Sequence, residues 1–253
     1  MSEVQLLAPL LAGANTRERT LPMPFQSPQK AAICEPGSVS TGSHKLSMAH
    51  AALRFANAHT PLGCSNQGVG HLDAIHPWTP DLPDSKKAEK IILKSRKKRK
   101  NYFFQERVVE IAKSQAGNCG EKSALVCFFL SQQPNRPIYY RVSLWPADHT
   151  FVVINQRPSK EGLFPDNFND WNDDAVIIDP WVGICGPARH YPELWRMKLD
   201  GMAEVGVELS NGYGLIKRNW LKANAELWQT MPDRNRKYVA NKCPLPTPKC
   251  CIL

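Results

Sequence analysis

No apolar run in this chain of 253 residues is long enough to cross a membrane, so no transmembrane helix is expected. The apolar stretch at residues 6–12 is short, lacks a basic start and runs at once into Arg17, Glu18 and Arg19, which is not the pattern of a secretory signal. The eight cysteines show no paired CxxC spacing and no dense framework. That excludes the common zinc sites and a disulfide scaffold, and a reducing cytosol is the expected setting. No metal and no cofactor is expected. Arginine and lysine cluster in residues 96–100, but no aromatic interleaving or base-reading motif accompanies them. Nucleic acid is therefore the least supported partner.

What is present is a 42% apolar composition, enough for one sizeable domain with tails. Basic residues outnumber acidic ones, 32 to 23, and the net charge of +9 points to an anionic partner such as a membrane face. Residues 1–84 are rich in Pro, Gly, Ser, Ala and His and read as a mobile leader. At most one short helix is expected there, over 46–58, with Leu46, Ala49, His50, Leu53 and Phe55 on its apolar side. Such a leader is either a delivery signal or a poorly ordered terminus. A single domain is expected over 85–230. Residues 231–253 read as a Pro-rich tail. For the basic run 96–100 three readings compete: a solvated helix face, an anionic-lipid contact, or a nuclear or nucleic-acid patch.

Residues 102–115 carry Phe103, Phe104, Val108, Val109, Ile111 and Ala112 at helical spacing. Ala116-Gly117-Asn118 breaks that helix. Cys119 then opens a second, mostly apolar one, whose dipole at its first turn favours the thiolate. Residues 138–145 alternate as a strand, and residues 149–154 run back as its partner, opening on His149. Residues 157–174 read as a polar connection able to overhang a site. Residues 175–179 form a third strand that closes on Asp179, with Pro180-Trp181 ending it. Helices are expected near 192–197 and 220–228, and a strand over 205–209.

Cysteine at a helix start, then histidine and aspartate on adjacent strands, is the order of a thiol triad. Each residue alone has an ordinary explanation: a small buried cysteine, a polar strand end, an Asp-Pro turn. Asp148 and Asp174 are rivals for the third place. Asp148 adjoins His149 and points to the other strand face, so Asp179 is preferred. Cys127 and Cys185 read as structural. The Cys119 N–H can donate to an oxyanion, and Gln115, one turn upstream, is a weaker candidate for a second donor.

These three blocks resemble the transglutaminase-like branch of the papain-like cysteine enzymes, over roughly residues 101–185. The resemblance implies an α+β fold in which a Cys-bearing helix packs on an antiparallel sheet carrying His149 and Asp179. It implies a protease, a glutamine deamidase or a cross-linking enzyme acting on a protein amide, and the family also includes inactive relatives.

The chain ends in Cys250-Cys251-Ile252-Leu253, which matches a C-a-a-X prenylation box whose final Leu favours geranylgeranyl. One lipid chain binds marginally, and palmitoylation of Cys243 or Cys251, or the basic surface, can supply the second signal. Together these features resemble effectors that bacteria deliver into host cells, where a host prenyltransferase would lipidate Cys250. The expected partner is then a host protein substrate at a host membrane. Otherwise a cytoplasmic protein with membrane association is expected. The competing classes are an inactive membrane-tethered binding module and a nuclear protein using residues 96–100.

Overall fold

The computed structural model describes residues 41–69, 85–99, 102–145, 148–210, 220–233 and 237–241. The chain divides into two units, residues 1–43 and 44–253, and the second holds both sheets. It is an α+β fold whose strand pairs are all antiparallel among the described residues.

The larger sheet has six strands: β2 (Tyr139–Trp145), β3 (His149–Ile154), β4 (Leu163–Phe164), β5 (Val176–Asp179), β6 (Ile184–Pro187) and β9 (Lys237–Asn241). Their spatial order is β4-β9-β2-β3-β5-β6. The register sets Leu144 opposite His149 and Val142 opposite Phe151 across β2 and β3. Residues two apart on a strand share a face. His149, Phe151 and Val153 therefore lie on one face, opposite Leu144, Val142 and Tyr140. That face belongs to a core rich in aromatics, among them Phe164, Phe168, Trp171, Tyr191, Trp195 and Tyr238. A smaller sheet joins β1 (Gln67–Val69), β7 (Val207–Ser210) and β8 (Trp220–Lys222) in the order β1-β7-β8.

Six α-helices are described: α1 (Thr41–Ala58), α2 (Ser85–Lys98), α3 (Phe104–Ser114), α4 (Cys119–Ser131), α5 (Tyr191–Glu204) and the short α6 (Glu226–Gln229). Helix α4 packs along β3, β2 and β5. Nearly every residue from Cys119 to Ser131 is buried, which is why residues 124–130 are apolar all round rather than striped, while the first turns bury Glu121, Lys122 and Ser123. Helix α1 buries Ala49, Ala52, Phe55 and Ala56, and the Phe55 ring meets Phe128 and Phe129 of α4 at 6.3 and 5.4 Å between centroids.

Several expectations need correction. The boundaries at 84 and 230 do not separate compact units. Residues 44–69 of the expected leader pack into the unit that holds the sheet, where Thr60, Cys64 and Ser65 are buried. The expected tail supplies β9, which is an interior strand between β4 and β2. Interior strands take their place from partners far along the chain, and a five-residue strand flanked by proline-rich sequence carries no local sign of that. The connection 157–174 is not a free overhang. It contributes β4, and it buries Phe164, Phe168 and Trp171. Phe103 does not join the stripe of α3; it precedes the first turn and is 78% exposed. Residues 220–228 form a strand and then a short helix, with the break at Ala223 buried. Residues 1–40 of the leader and Cys243, Cys250 and Cys251 lie outside the described residues.

Candidate active site

The start of α4 is built by close backbone contact. Helix α3 ends at Gln115 in the left-handed conformation (φ 57°), which turns the chain towards α4. The Gln115 carbonyl accepts from Leu62 N–H at 2.9 Å, and Gly117 N–H donates to Gly63 O at 3.1 Å. Asn118 precedes the helix, and its side-chain Oδ1 accepts from Ser65 N–H at 2.9 Å. The Asn118 N–H donates to Glu121 at 3.1 Å, which satisfies one of the donors a helix start leaves open. Residues 62–65 thus hold the turn that presents Cys119.

Gly117 is required by space. A Cβ there would stand 2.6 Å from the Glu121 Cβ, whose backbone is fixed by the helix. Gly117→Ala is expected to cost about 1–3 kcal/mol of overpacking and to displace the first turn of α4. A urea titration, together with the alkylation rate of Cys119, measures both effects.

His149 begins β3 and is 4% exposed; Asp179 ends β5 and is fully buried. The His149 Nε2 lies 2.7 Å from Asp179 Oδ2. The Cys119 side chain is close enough to act on the ring, and Asp179 takes Nε2, which leaves Nδ1 as the nitrogen not held by Asp179. The thiol also lies 3.8 Å from the Asp148 carbonyl, a weak contact. Burial pulls the imidazole towards its neutral form. The charge and hydrogen bond of Asp179, joined by those of Cys119, more than reverse that and raise the His149 pKa to about 10. The ring is therefore an imidazolium at neutral pH.

Asp179 is held on both oxygens. Oδ1 accepts from Trp181 N–H at 3.1 Å, the turn that the Asp-Pro-Trp sequence makes possible. Oδ2 accepts from the Tyr191 hydroxyl at 2.7 Å as well as facing His149. Burial and the adjacent carboxylate push the Tyr191 pKa well above 10, so it remains a donor. The His149 ring packs against a pair of indoles, Trp181 and Trp195, each 5.2 Å away between centroids and stacked on one another at 6.0 Å. Trp181 is in turn tied down by the expected leader, through Asn66 Oδ1 (2.9 Å) and Gln67 Nε2 (2.8 Å).

The structure therefore brings Cys119, His149 and Asp179 together. It does not bring in the rivals. Asp174 is exposed and pairs with Lys45 and Asn155, both at 2.8 Å, and the Asp148 side chain is exposed. Gln115 is also exposed, and among the described residues no contact joins its side chain to Cys119. Cys64 and Cys185 are free thiols whose pKa values burial pushes up to about 11 and about 12. Cys127 is buried and disulfide-bonded. Sequence reasoning missed Tyr191, Trp195 and residues 62–67. Tyr191 and Trp195 carried a usable signal, since two aromatics at i and i+4 share one helix face. His190 is exposed before α5, and His71 and His76 lie outside the described residues. Among the described residues no cluster of His, Cys, Asp and Glu is suited to a metal.

No protein-family model matches this chain, and no curated protein and no solved structure matches it.

Proposed function

We propose that the protein is a cysteine-dependent acyl-transfer enzyme acting on a protein amide, with Cys119 as nucleophile, His149 as base and acid, and Asp179 as the residue that orients and charges the imidazole. In this reading the fold is a papain- or transglutaminase-like core. What carries the reading is the 2.7 Å pair of His149 Nε2 and Asp179, buried, with the ring's remaining nitrogen available to a cysteine at a helix start.

The chemistry follows from those positions. The thiolate attacks the amide carbonyl carbon, and the developing oxyanion accepts from the Cys119 N–H. The C–N bond breaks as the imidazolium gives its Nδ1 proton to the leaving nitrogen. A thioester remains on Cys119. The now neutral imidazole takes a proton from water or from an amine, which attacks the thioester and releases the thiolate. A peptide bond gives proteolysis, a glutamine side chain with water gives deamidation, and a glutamine with an amine gives cross-linking. The delivery of the protein into a host cell, its host protein substrate and its tether through Cys250 to a host membrane belong to the same proposal and rest on the sequence.

A second reading, a binding module of the same fold without catalysis, draws on the burial of the site: Cys119 is 7% and His149 4% exposed. One experiment separates the two. The full chain is alkylated at graded pH, and each cysteine is followed by mass spectrometry in wild type and His149→Ala. The catalytic reading expects Cys119 to react at least about tenfold faster than Cys64 and Cys185 at pH 7, and expects His149→Ala to remove that advantage. Equal, slow reaction of all three in both proteins favours the binding module.

A further inference from the structure

The basic run at residues 96–100 does not form a purely solvated face. Arg96 and Arg99 turn inward from the end of α2 onto Glu121, whereas Lys97 and Lys98 stay outside. Arg96 makes a two-pronged contact with the Glu121 carboxylate at 2.6 and 2.7 Å, and Arg99 Nη2 adds a third bond at 2.9 Å. Arg107 of α3 completes the lining of a cavity of about 250 Å³.

Two features of this cavity are unexplained by the residues around it. Among the described residues the lining holds three guanidinium groups and one carboxylate, a formal net charge of +2. Arginine does not shed its proton to relieve that. The second feature is Arg99. Its residue is 9% exposed, and its buried Nε–H has no hydrogen-bond partner among the described residues. A buried charged donor left open is costly unless something fills it. Arg107 gives its Nε–H to Tyr102 O at 2.9 Å, and that bond leaves its terminal amines for another acceptor.

We propose that this cavity is a binding site for a phosphate monoester. A single carboxylate would leave half of the surplus charge unmet and is the group Glu121 already provides. A phosphate monoester carries about −1.5 to −2 at pH 7 and three acceptor oxygens, which matches both the charge and the number of arginines. The cavity equals about eight water volumes, so it admits the phosphate with part of the group that bears it. The bearer is either a soluble phosphate ester or a phosphoinositide headgroup. The site does not depend on the catalytic reading of Cys119.

The test uses the full chain at fixed ionic strength. Phenyl phosphate and benzoate are titrated by calorimetry into wild type, Arg107→Gln and Arg99→Lys. Sedimentation with phosphatidylcholine vesicles, with and without phosphatidylinositol 4-phosphate, is run in parallel. Arg107 is exposed, so Arg107→Gln keeps the test valid even where Arg99→Lys fails to fold. The expected result is saturable binding of phenyl phosphate that falls about tenfold or more in Arg107→Gln, with benzoate weaker by at least as much. Binding restricted to the phosphoinositide vesicles, and lost in Arg107→Gln, supports the site and assigns the lipid source. The proposal is overturned by no binding in either arm, by binding that Arg107→Gln leaves unchanged, or by benzoate binding as tightly as phenyl phosphate.

Discussion

Asp179→Asn is expected to abolish the preferential alkylation of Cys119 and to cost about 3–5 kcal/mol of stability. The substitution keeps the shape of the side chain and removes its charge. Three donors then face an amide where they faced a carboxylate: the His149 ring, the Tyr191 hydroxyl and the Trp181 N–H. One of the three is a cation at neutral pH, and it is buried. With the carboxylate gone, burial dominates, and the His149 pKa is expected to fall from about 10 to 6.5 or lower. The consequence for stability has a definite sign. The folded imidazole pKa lies above its unfolded value, so its contribution is complete below 6.5 and is lost as pH rises through about 10. Wild type is therefore expected to lose stability between pH 7 and 10 by a component that Asp179→Asn lacks. Urea titrations of both proteins across that range check the sign. An equal slope in the two would show that His149 is not the imidazolium the geometry calls for.

Glu121→Ala is expected to cost a similar 3–5 kcal/mol, for a different reason. Its carboxylate accepts four hydrogen bonds, two from Arg96, one from Arg99 and one from the Asn118 N–H that opens α4. Removing it leaves Arg99 buried without a counter-charge and frays the helix start that presents Cys119. Burial raises the Glu121 pKa, but the hydrogen bonds and charges of Arg96 and Arg99 outweigh that and hold it below the usual carboxylate value of 4.5. A lowered folded pKa gives stability that is present above 4.5 and lost as pH falls through the folded value. Acid unfolding of wild type should therefore contain a component missing from Glu121→Ala. If charge is the cause, adding Arg99→Met to Glu121→Ala is expected to recover part of the loss, since it removes the orphaned cation.

The positions of Cys119, His149 and Asp179 in the fold were legible because each sits at the end of a local element. A glycine-asparagine break before an apolar helix marks Cys119. A run of β-branched and aromatic residues opening on histidine marks His149, and an Asp-Pro-Trp turn marks Asp179. These are short-range signals, set by backbone preference and hydrophobic periodicity, and the strands they mark pair side by side: β2 with β3, its neighbour in sequence, and β3 with β5, past the short edge strand β4. The same locality explains the failures. The segment 62–67 has no periodicity to display, because it acts through backbone and amide hydrogen bonds to Gln115, Gly117, Asn118 and Trp181. The basic run 96–100 looked like a surface because its counter-charge, Glu121, lies over twenty residues away and beyond a second helix.

The sequence by itself determined the α+β class, the helix that presents Cys119 and the strands that end in His149 and Asp179, since hydrophobic period and turn chemistry act over a few residues. Only the tertiary structure decided that Trp181 and Trp195 pack on the imidazole and Tyr191 holds Asp179, that residues 44–69 and 237–241 belong to the folded unit, and that two arginines of a basic run point inward. Those outcomes depend on burial and on pairing between distant residues, and the free energy of placing a charge or closing a sheet is set by what the rest of the chain brings to that point.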